Sequence, residues 1–207
     1  MLCTDCNKPV KPVIAIDIDG TIANYHEHFL NFASQWFGRR FNNHYSGRES
    51  LAEYMKVDPQ EYRQCKLAYR QGGMKRTMPM FNDAKGFMER ICQMDAEVWI
   101  TTTRPYLRLD NVDPDTREWL HRSKITYDGL IYDDDKYKKL LDIVGPDRVV
   151  GVVEDLPENF DRAEELGLHP IMVDRLHNHA SPRRPRLRLL QAEQELYDRV
   201  KGWYGLR

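Results

Sequence analysis

Apolar runs recur along the chain, and each ends in a polar cluster. Val13-Ile14-Ala15-Ile16 leads into Asp17-Ile18-Asp19-Gly20-Thr21, and Val98-Trp99-Ile100 leads into Thr101-Thr102-Thr103-Arg104. Gly129-Leu130-Ile131-Tyr132 leads into Asp133-Asp134-Asp135-Lys136, and Val149-Val150-Gly151-Val152-Val153 leads into Glu154-Asp155. A last run ends at Asp174. Short runs rich in β-branched residues predict strands buried on both faces. Between them lie segments with apolar residues at helical spacing. Residues 22–37 carry Ile22, Tyr25, Phe29, Phe32, Ala33 and Trp36, with His26 and His28 as polar residues facing solvent or substrate. Residues 81–94 place Phe87, Met88 and Ile91 inward, with Asn82 as the cap. Further helices open at Val112-Asp113-Pro114-Asp115 and at Leu156-Pro157-Glu158, and the last covers 187–203. Such alternation predicts an α/β fold with a doubly wound parallel sheet. In that fold the carboxyl ends of the strands meet where ligands bind.

The pattern changes over residues 38–78. Gly47, Asp58-Pro59 and Gly72-Gly73 punctuate short helical pieces. Asp58 as N-cap with Pro59 in the first turn predicts a helix there. On it Arg63, Lys66 and Arg70 share roughly one face, with Tyr62 and Tyr69 nearby. The expected organisation is a lead-in at 1–12, a core at 13–37 and 79–176, a helical cap at 38–78 inserted after the first strand, and a basic linker with a C-terminal helix at 177–207. The cap helix reads as a basic, aromatic lid for a phosphate and a base, or as a solvated face. Arg183, Arg184, Arg186 and Arg188 read as a solvated linker, or as contacts to nucleic acid or phosphate.

Composition narrows the classes. The chain has 207 residues, 41% of them hydrophobic, and a formal net charge of −1. That suffices for one α/β domain with a small insertion, and argues against wholesale coating of nucleic acid. No apolar run reaches membrane-spanning length, no leader pattern opens the chain, and a cytoplasmic protein is expected. Four cysteines in a chain this long make no disulfide framework. Cys3-Thr4-Asp5-Cys6 is half of a zinc site, and His177-Asn178-His179 is a candidate second half. A structural Zn²⁺ there would tie the start of the chain to its end region, and chance spacing is the alternative.

The candidate chemistry centres on Asp17 and Asp19. Two residues apart on a continuing strand, they lean the same way, and Gly20 lets the chain turn at once. Paired carboxylates losing hydration call for a cation, and their oxygens suit Mg²⁺. One can then attack an electrophile while the other moves a proton. The hydroxyls and free N–H groups after the second strand can hold phosphate oxygens.

Asp17-Ile18-Asp19-Gly20-Thr21 resembles the first motif of the haloacid dehalogenase superfamily, mostly phosphatases. The resemblance implies a Rossmann-like core and assigns roles residue by residue. Asp17 is the phosphoryl-accepting nucleophile and Asp19 the general acid/base. Thr102 matches the second motif, with Thr103 and Arg104 beside it as substrate contacts. Lys136 matches the third, with Lys138 and Lys139 as fallbacks. Glu154-Asp155 matches the acidic fourth motif. Mg²⁺ is then held by Asp17, by Asp19 through its backbone carbonyl, by Asp155, and by Glu154 through water. Arg63, Lys66 and Arg70 are the cap's substrate contacts. The insertion and Met78-Pro79-Met80-Phe81 are similar to 5′(3′)-deoxyribonucleotidases. Thr102-Thr103-Arg104 is also similar to the phosphatase domain of phage polynucleotide kinases, although no phosphate loop of a kinase half is present. The expected function is a Mg²⁺-dependent phosphomonoesterase that forms an aspartyl-phosphate from a phosphorylated small molecule, a (deoxy)nucleoside monophosphate. The alternatives are a 3′-phosphatase of nucleic-acid ends, or a non-catalytic nucleic-acid or protein interaction module on the same scaffold.

Overall fold

The computed structural model describes residues 10–105, 108–181 and 185–206. Its sheet has the order β3-β2-β1-β4-β5-β6. The strands are β1 Val13–Ile16, β2 Glu97–Thr102, β3 Gly129–Tyr132, β4 Val149–Glu154, β5 Pro170–Val173 and β6 Arg186–Leu187. Every pairing is parallel. The direction of winding reverses between β1 and β4, so their carboxyl ends open onto one crevice.

Alternation along the strands sends side chains to two apolar layers. Ile14, Ile16, Val98, Ile100, Val153 and Ile171 face one layer, filled from α4 Ala84–Ile91, α5 Val112–Arg122 and α8 Leu189–Trp203. Val13, Ala15, Ile131, Val149 and Val152 face the other, filled from α6 Lys136–Val144 and α7 Pro157–Glu165. The strands read as unbroken apolar runs because both faces are covered.

The C-terminal region departs from expectation. The run ending at Asp174 is not the last strand, because Arg186–Leu187 adds a parallel edge strand. The helix expected over 187–203 begins at Leu189 and packs into the core. Leu189, Ala192, Leu196 and Val200 form an apolar stripe at helical spacing and are buried. Gly151 makes room for it, since a Cβ there would lie 2.4 Å from Leu196 Cδ2. Arg183 and Arg184 lie outside the described residues.

The insertion has its own small core. Phe29, Leu30 and Ala33 of α1 Tyr25–Trp36 pack on Leu51 and Met55 of α2 Leu51–Met55 and on Cys65 and Tyr69 of α3 Pro59–Gln71. Asp58 caps α3 as expected, its Oδ1 accepting from the N–H of Gln60 at 2.7 Å and of Glu61 at 3.2 Å. At α4, by contrast, Asp83 rather than Asn82 holds the cap position. The far end of the insertion is tied to α5. Asn111 Nδ2 donates to the Arg70 carbonyl and to Asp115 Oδ2, each at 2.7 Å, and the Arg76 guanidinium also pairs with the buried Asp115. Trp119 Nε1 donates to the Met78 carbonyl at 2.7 Å.

Candidate active site

The chain leaves β1 at Asp17 and leaves β4 at Glu154-Asp155, on either side of the switch in strand order. Gly20 turns the first loop back at φ +97°, and a Cβ there would fall 2.1 Å from Asp155 Oδ2. Only glycine allows this approach. Lys136, the first residue of α6, reaches between the two loops. Its Nζ lies 2.5 Å from Asp17 Oδ1 and 2.7 Å from Glu154 Oε2. All four side chains are buried, with relative exposures of 5% for Asp17, 1% for Lys136 and 0% for Glu154 and Asp155. Lys138 and Lys139 point elsewhere, paired with Asp142 and Asp133.

Glu154 spends both oxygens on protein donors. Oε1 accepts from the N–H of Asp155 and Leu156, and Oε2 accepts from Tyr137 Oη at 2.5 Å beside Lys136. The water-mediated metal contact expected of Glu154 thus competes with a role in holding Lys136. Asp155 Oδ1 accepts from Thr21 Oγ1 at 2.7 Å, and Oδ2 meets His177 Nε2 at 2.5 Å. Burial, then the charge of Arg175, lowers His177 to about 4, so a neutral ring stands against Asp155.

This cluster fits a hard divalent cation. Oxygens of Asp17, Glu154 and Asp155 lie within 4.8 Å of one another, and among the described residues the cation paired with them is Lys136, through Asp17 and Glu154. Burial pushes Asp17 well above the usual carboxylate range despite Lys136, and burial with the charge of Glu154 does the same to Asp155. A dication among all-oxygen donors would offset the burial and mutual repulsion that raise them.

Asp19 has the opposite surroundings. Arg104 grips it with two bonds, Nε to Oδ2 at 2.9 Å and Nη2 to Oδ1 at 2.6 Å, and Lys75 Nζ adds a third at 2.5 Å. Burial would raise its pKa, but Arg104 and then Lys75 hold it far below the usual range. Lys75 is itself pulled down to about 7 by burial, against the attraction of Asp19. Its ammonium sits 4.1 Å from the Tyr25 ring centroid. Thr116 Oγ1 accepts from Arg104 Nη1 at 2.8 Å and fixes the guanidinium.

A cavity of about 290 Å³ opens over both aspartates. Thr102, Thr103 and Arg104 line it from the sheet, and Tyr25, His26, Tyr45, Tyr62, Lys66, Arg70 and Lys75 from α1 and the insertion. Thr102 is buried and its Oγ1 accepts from the Arg104 N–H at 3.4 Å. Arg63 is exposed and does not line the cavity; the inner face of α3 runs through Tyr62, Lys66 and Arg70. His26 is not a plain surface residue, for its ring packs 4.1 Å from that of His177. Lys75, Tyr45 and Thr21 are site residues that sequence reasoning missed. Thr21 stands in the first motif, while Lys75 lies in a 3₁₀ turn, Met74–Thr77, directly after Gly72-Gly73.

The zinc expectation divides. Cys3 and Cys6 lie outside the described residues. His177 is bound to Asp155, and His179 Nε2 meets Asp174 Oδ1 at 2.9 Å, so each ring has its own carboxylate.

Comparison with known proteins decides the family. A sequence profile described as "5' nucleotidase, deoxy (Pyrimidine), cytosolic type C protein" matches residues 11–197. The chain belongs to this family. As a member it is a phosphoric monoester hydrolase of the haloacid dehalogenase type. No curated protein sequence matches it significantly. Among solved structures, it is similar to a "predicted phosphatase from Clostridium acetobutylicum", at TM-score 0.64 and 11% identity over 92% of this chain and 100% of that one. A haloacid dehalogenase-like hydrolase from Streptococcus pneumoniae aligns at TM-score 0.58 and 12% identity, covering 88% and 96%. A haloacid dehalogenase-superfamily hydrolase from Geobacter sulfurreducens aligns at 0.53 and 19%, covering 82% and 93%. At these identities the structural likeness speaks for the fold. Among the described residues no helix is long and apolar enough to cross a membrane.

Proposed function

We propose that this member of the nucleotidase family is a Mg²⁺-dependent phosphomonoesterase of (deoxy)nucleoside monophosphates, with Asp17 as nucleophile. The observation that carries the reading is the meeting of Asp17, Lys136 and Asp155 at the switch in strand order, with Asp17 opening into a cavity walled by tyrosines and cations. Asp17, Asp155 and the Asp19 carbonyl would hold the ion, which supplies charge neutralisation to the phosphoryl oxygens when bound.

The residues do the rest. Asp17 attacks phosphorus and becomes an aspartyl-phosphate, while Lys136 and the Thr102–Thr103 segment hold the equatorial oxygens. Lys136 keeps its proton, because Asp17 and Glu154 outweigh its burial. Asp19, gripped by Arg104 and Lys75, is a carboxylate suited to take a proton from the water that opens the intermediate. To act as the acid toward the leaving oxygen Asp19 must first carry a proton, taken from solvent or kept from the water of the preceding turnover. Tyr25, Tyr45 and Tyr62 offer aromatic faces to a base. The name of the family, cytosolic and deoxy-pyrimidine, supports a free nucleotide and a cytoplasmic setting. An action on nucleic-acid ends gains less support, since Arg186 is spent on the carbonyls of Asn178 and Ser181.

The test is phosphate release with and without Mg²⁺, first from p-nitrophenyl phosphate and then from 5′- and 3′-nucleotides. Turnover that needs Mg²⁺ and favours nucleotides is expected. Hydrolysis that persists in chelator, or none with any phosphomonoester, would overturn the reading.

A further inference from the structure

The cavity holds more positive charge than one phosphoryl group uses. Lys136 is committed to Asp17 and Glu154, and Lys75 and Arg104 to Asp19. Lys66 and Arg70 also line the cavity, yet among the described residues neither pairs with a carboxylate. They stand one helical turn apart on the inner face of α3, where like charges repel. Both are partly buried. Burial and the charge of Arg70 pull the Lys66 ammonium below its ordinary range. The Arg70 backbone is fixed by Asn111, so the pair is held in place over the cavity. An unpaired, partly desolvated, like-charged pair is costly unless an anion joins it.

Lys66 and Arg70 line the cavity from α3, on the side where Lys75 pairs with Asp19, whereas Asp17 is paired with Lys136 from α6. Tyr25 and Tyr62 stand on the same side.

We infer that Lys66 and Arg70 bind a second phosphate of the substrate, so that the preferred substrate class is a nucleoside 3′,5′-bisphosphate. This rests on the phosphomonoesterase reading of the same site. In the reaction one P–O bond of the bisphosphate breaks, water supplies a hydroxyl to phosphorus and a proton to the leaving oxygen, and inorganic phosphate and a nucleoside monophosphate result. The second phosphate stays intact and acts as a handle. The same chemistry is offered by the terminal nucleotide of a 3′-phosphorylated oligonucleotide, whose inner phosphate is a diester.

The experiment measures kcat and KM of the full chain with Mg²⁺ on four substrates: a nucleoside 5′-monophosphate, its 3′-isomer, the 3′,5′-bisphosphate and a 3′-phosphorylated dinucleotide. The bisphosphate should exceed both monophosphates by at least about tenfold in kcat/KM, chiefly through KM, as charge-assisted contacts remote from the reacting atom do. The Lys66→Ala/Arg70→Ala double variant should bring that ratio to about one, and Lys66→Arg/Arg70→Lys should keep most of it. A dinucleotide matching the bisphosphate would extend the handle to chain ends; a dinucleotide matching the monophosphates would confine it to free nucleotides. Equal kcat/KM for mono- and bisphosphates in active enzyme, or a preference that survives the double alanine variant, overturns the inference and leaves the phosphatase reading standing. Loss of all turnover on every substrate overturns both. Isothermal titration of Asp17→Asn with each nucleotide reads the same ratio without turnover.

Discussion

Asp17 and Asp19 are two residues apart and share a cavity, but they sit in opposite electrostatic surroundings. Asp17 belongs to the sheet side, where it and Glu154 share Lys136 and Asp155 lies beside them. Asp19 belongs to the insertion side, where Arg104 and Lys75 both close on a single carboxylate. One side lacks positive charge and the other has a surplus. A short Asp-x-Asp motif here places two like side chains in opposite electrostatic surroundings. Environment, not residue type, pushes Asp17 above the usual carboxylate range and holds Asp19 as an ion.

The strongest way to break this contrast is at Asp17 itself. Asp17→Asn should lower kcat by at least about 10⁴-fold while the protein stays folded; near-normal turnover would remove Asp17 from the chemistry. Next is Lys136→Met, which strips the acidic side of its buried counter-charge. Loss of about 3–5 kcal/mol in urea unfolding is expected, and an unchanged midpoint would mean that the carboxylates are neutral without it. On the other side, Arg104→Ala should cost about a hundredfold in kcat/KM, the scale of losing an aimed donor near the reacting group. Wild-type kinetics there would make the Asp19 clamp a structural contact only. Mg²⁺ should raise thermal stability by about 2.7 kcal/mol at a hundredfold excess over its Kd, and Asp155→Asn should abolish the shift. Least affected should be Asp58→Ala, which removes the cap of α3 and costs about 1 kcal/mol with catalysis intact. A large kinetic defect there would couple the insertion more tightly to Asp17 than the contrast allows.

The sheet side was the more legible half of the sequence. The ends of β2 and β3, the start of α6 at Lys136 and the Glu154-Asp155 step all follow from local apolar runs and the polar residues that stop them. The insertion side depends on distant pairs. Nothing near Arg104 announces that it closes on Asp19, and Lys75 has no pattern around it. His177 read as half of a zinc site because its spacing to His179 is local, whereas its partner Asp155 is not. The strand Arg186–Leu187 is too short to carry an alternation, whereas the stripe of the helix after it is long enough to show helical spacing.

The central claim is that Asp17 carries the phosphoryl group during turnover. Quenching the enzyme in mid-turnover with Mg²⁺ and substrate, reducing it with borohydride and mapping the peptides by mass spectrometry tests this directly. The account predicts homoserine at position 17, dependent on substrate and absent when phosphate release is blocked by chelator. Reduction at another carboxylate, or unmodified Asp17 at full turnover, would contradict it.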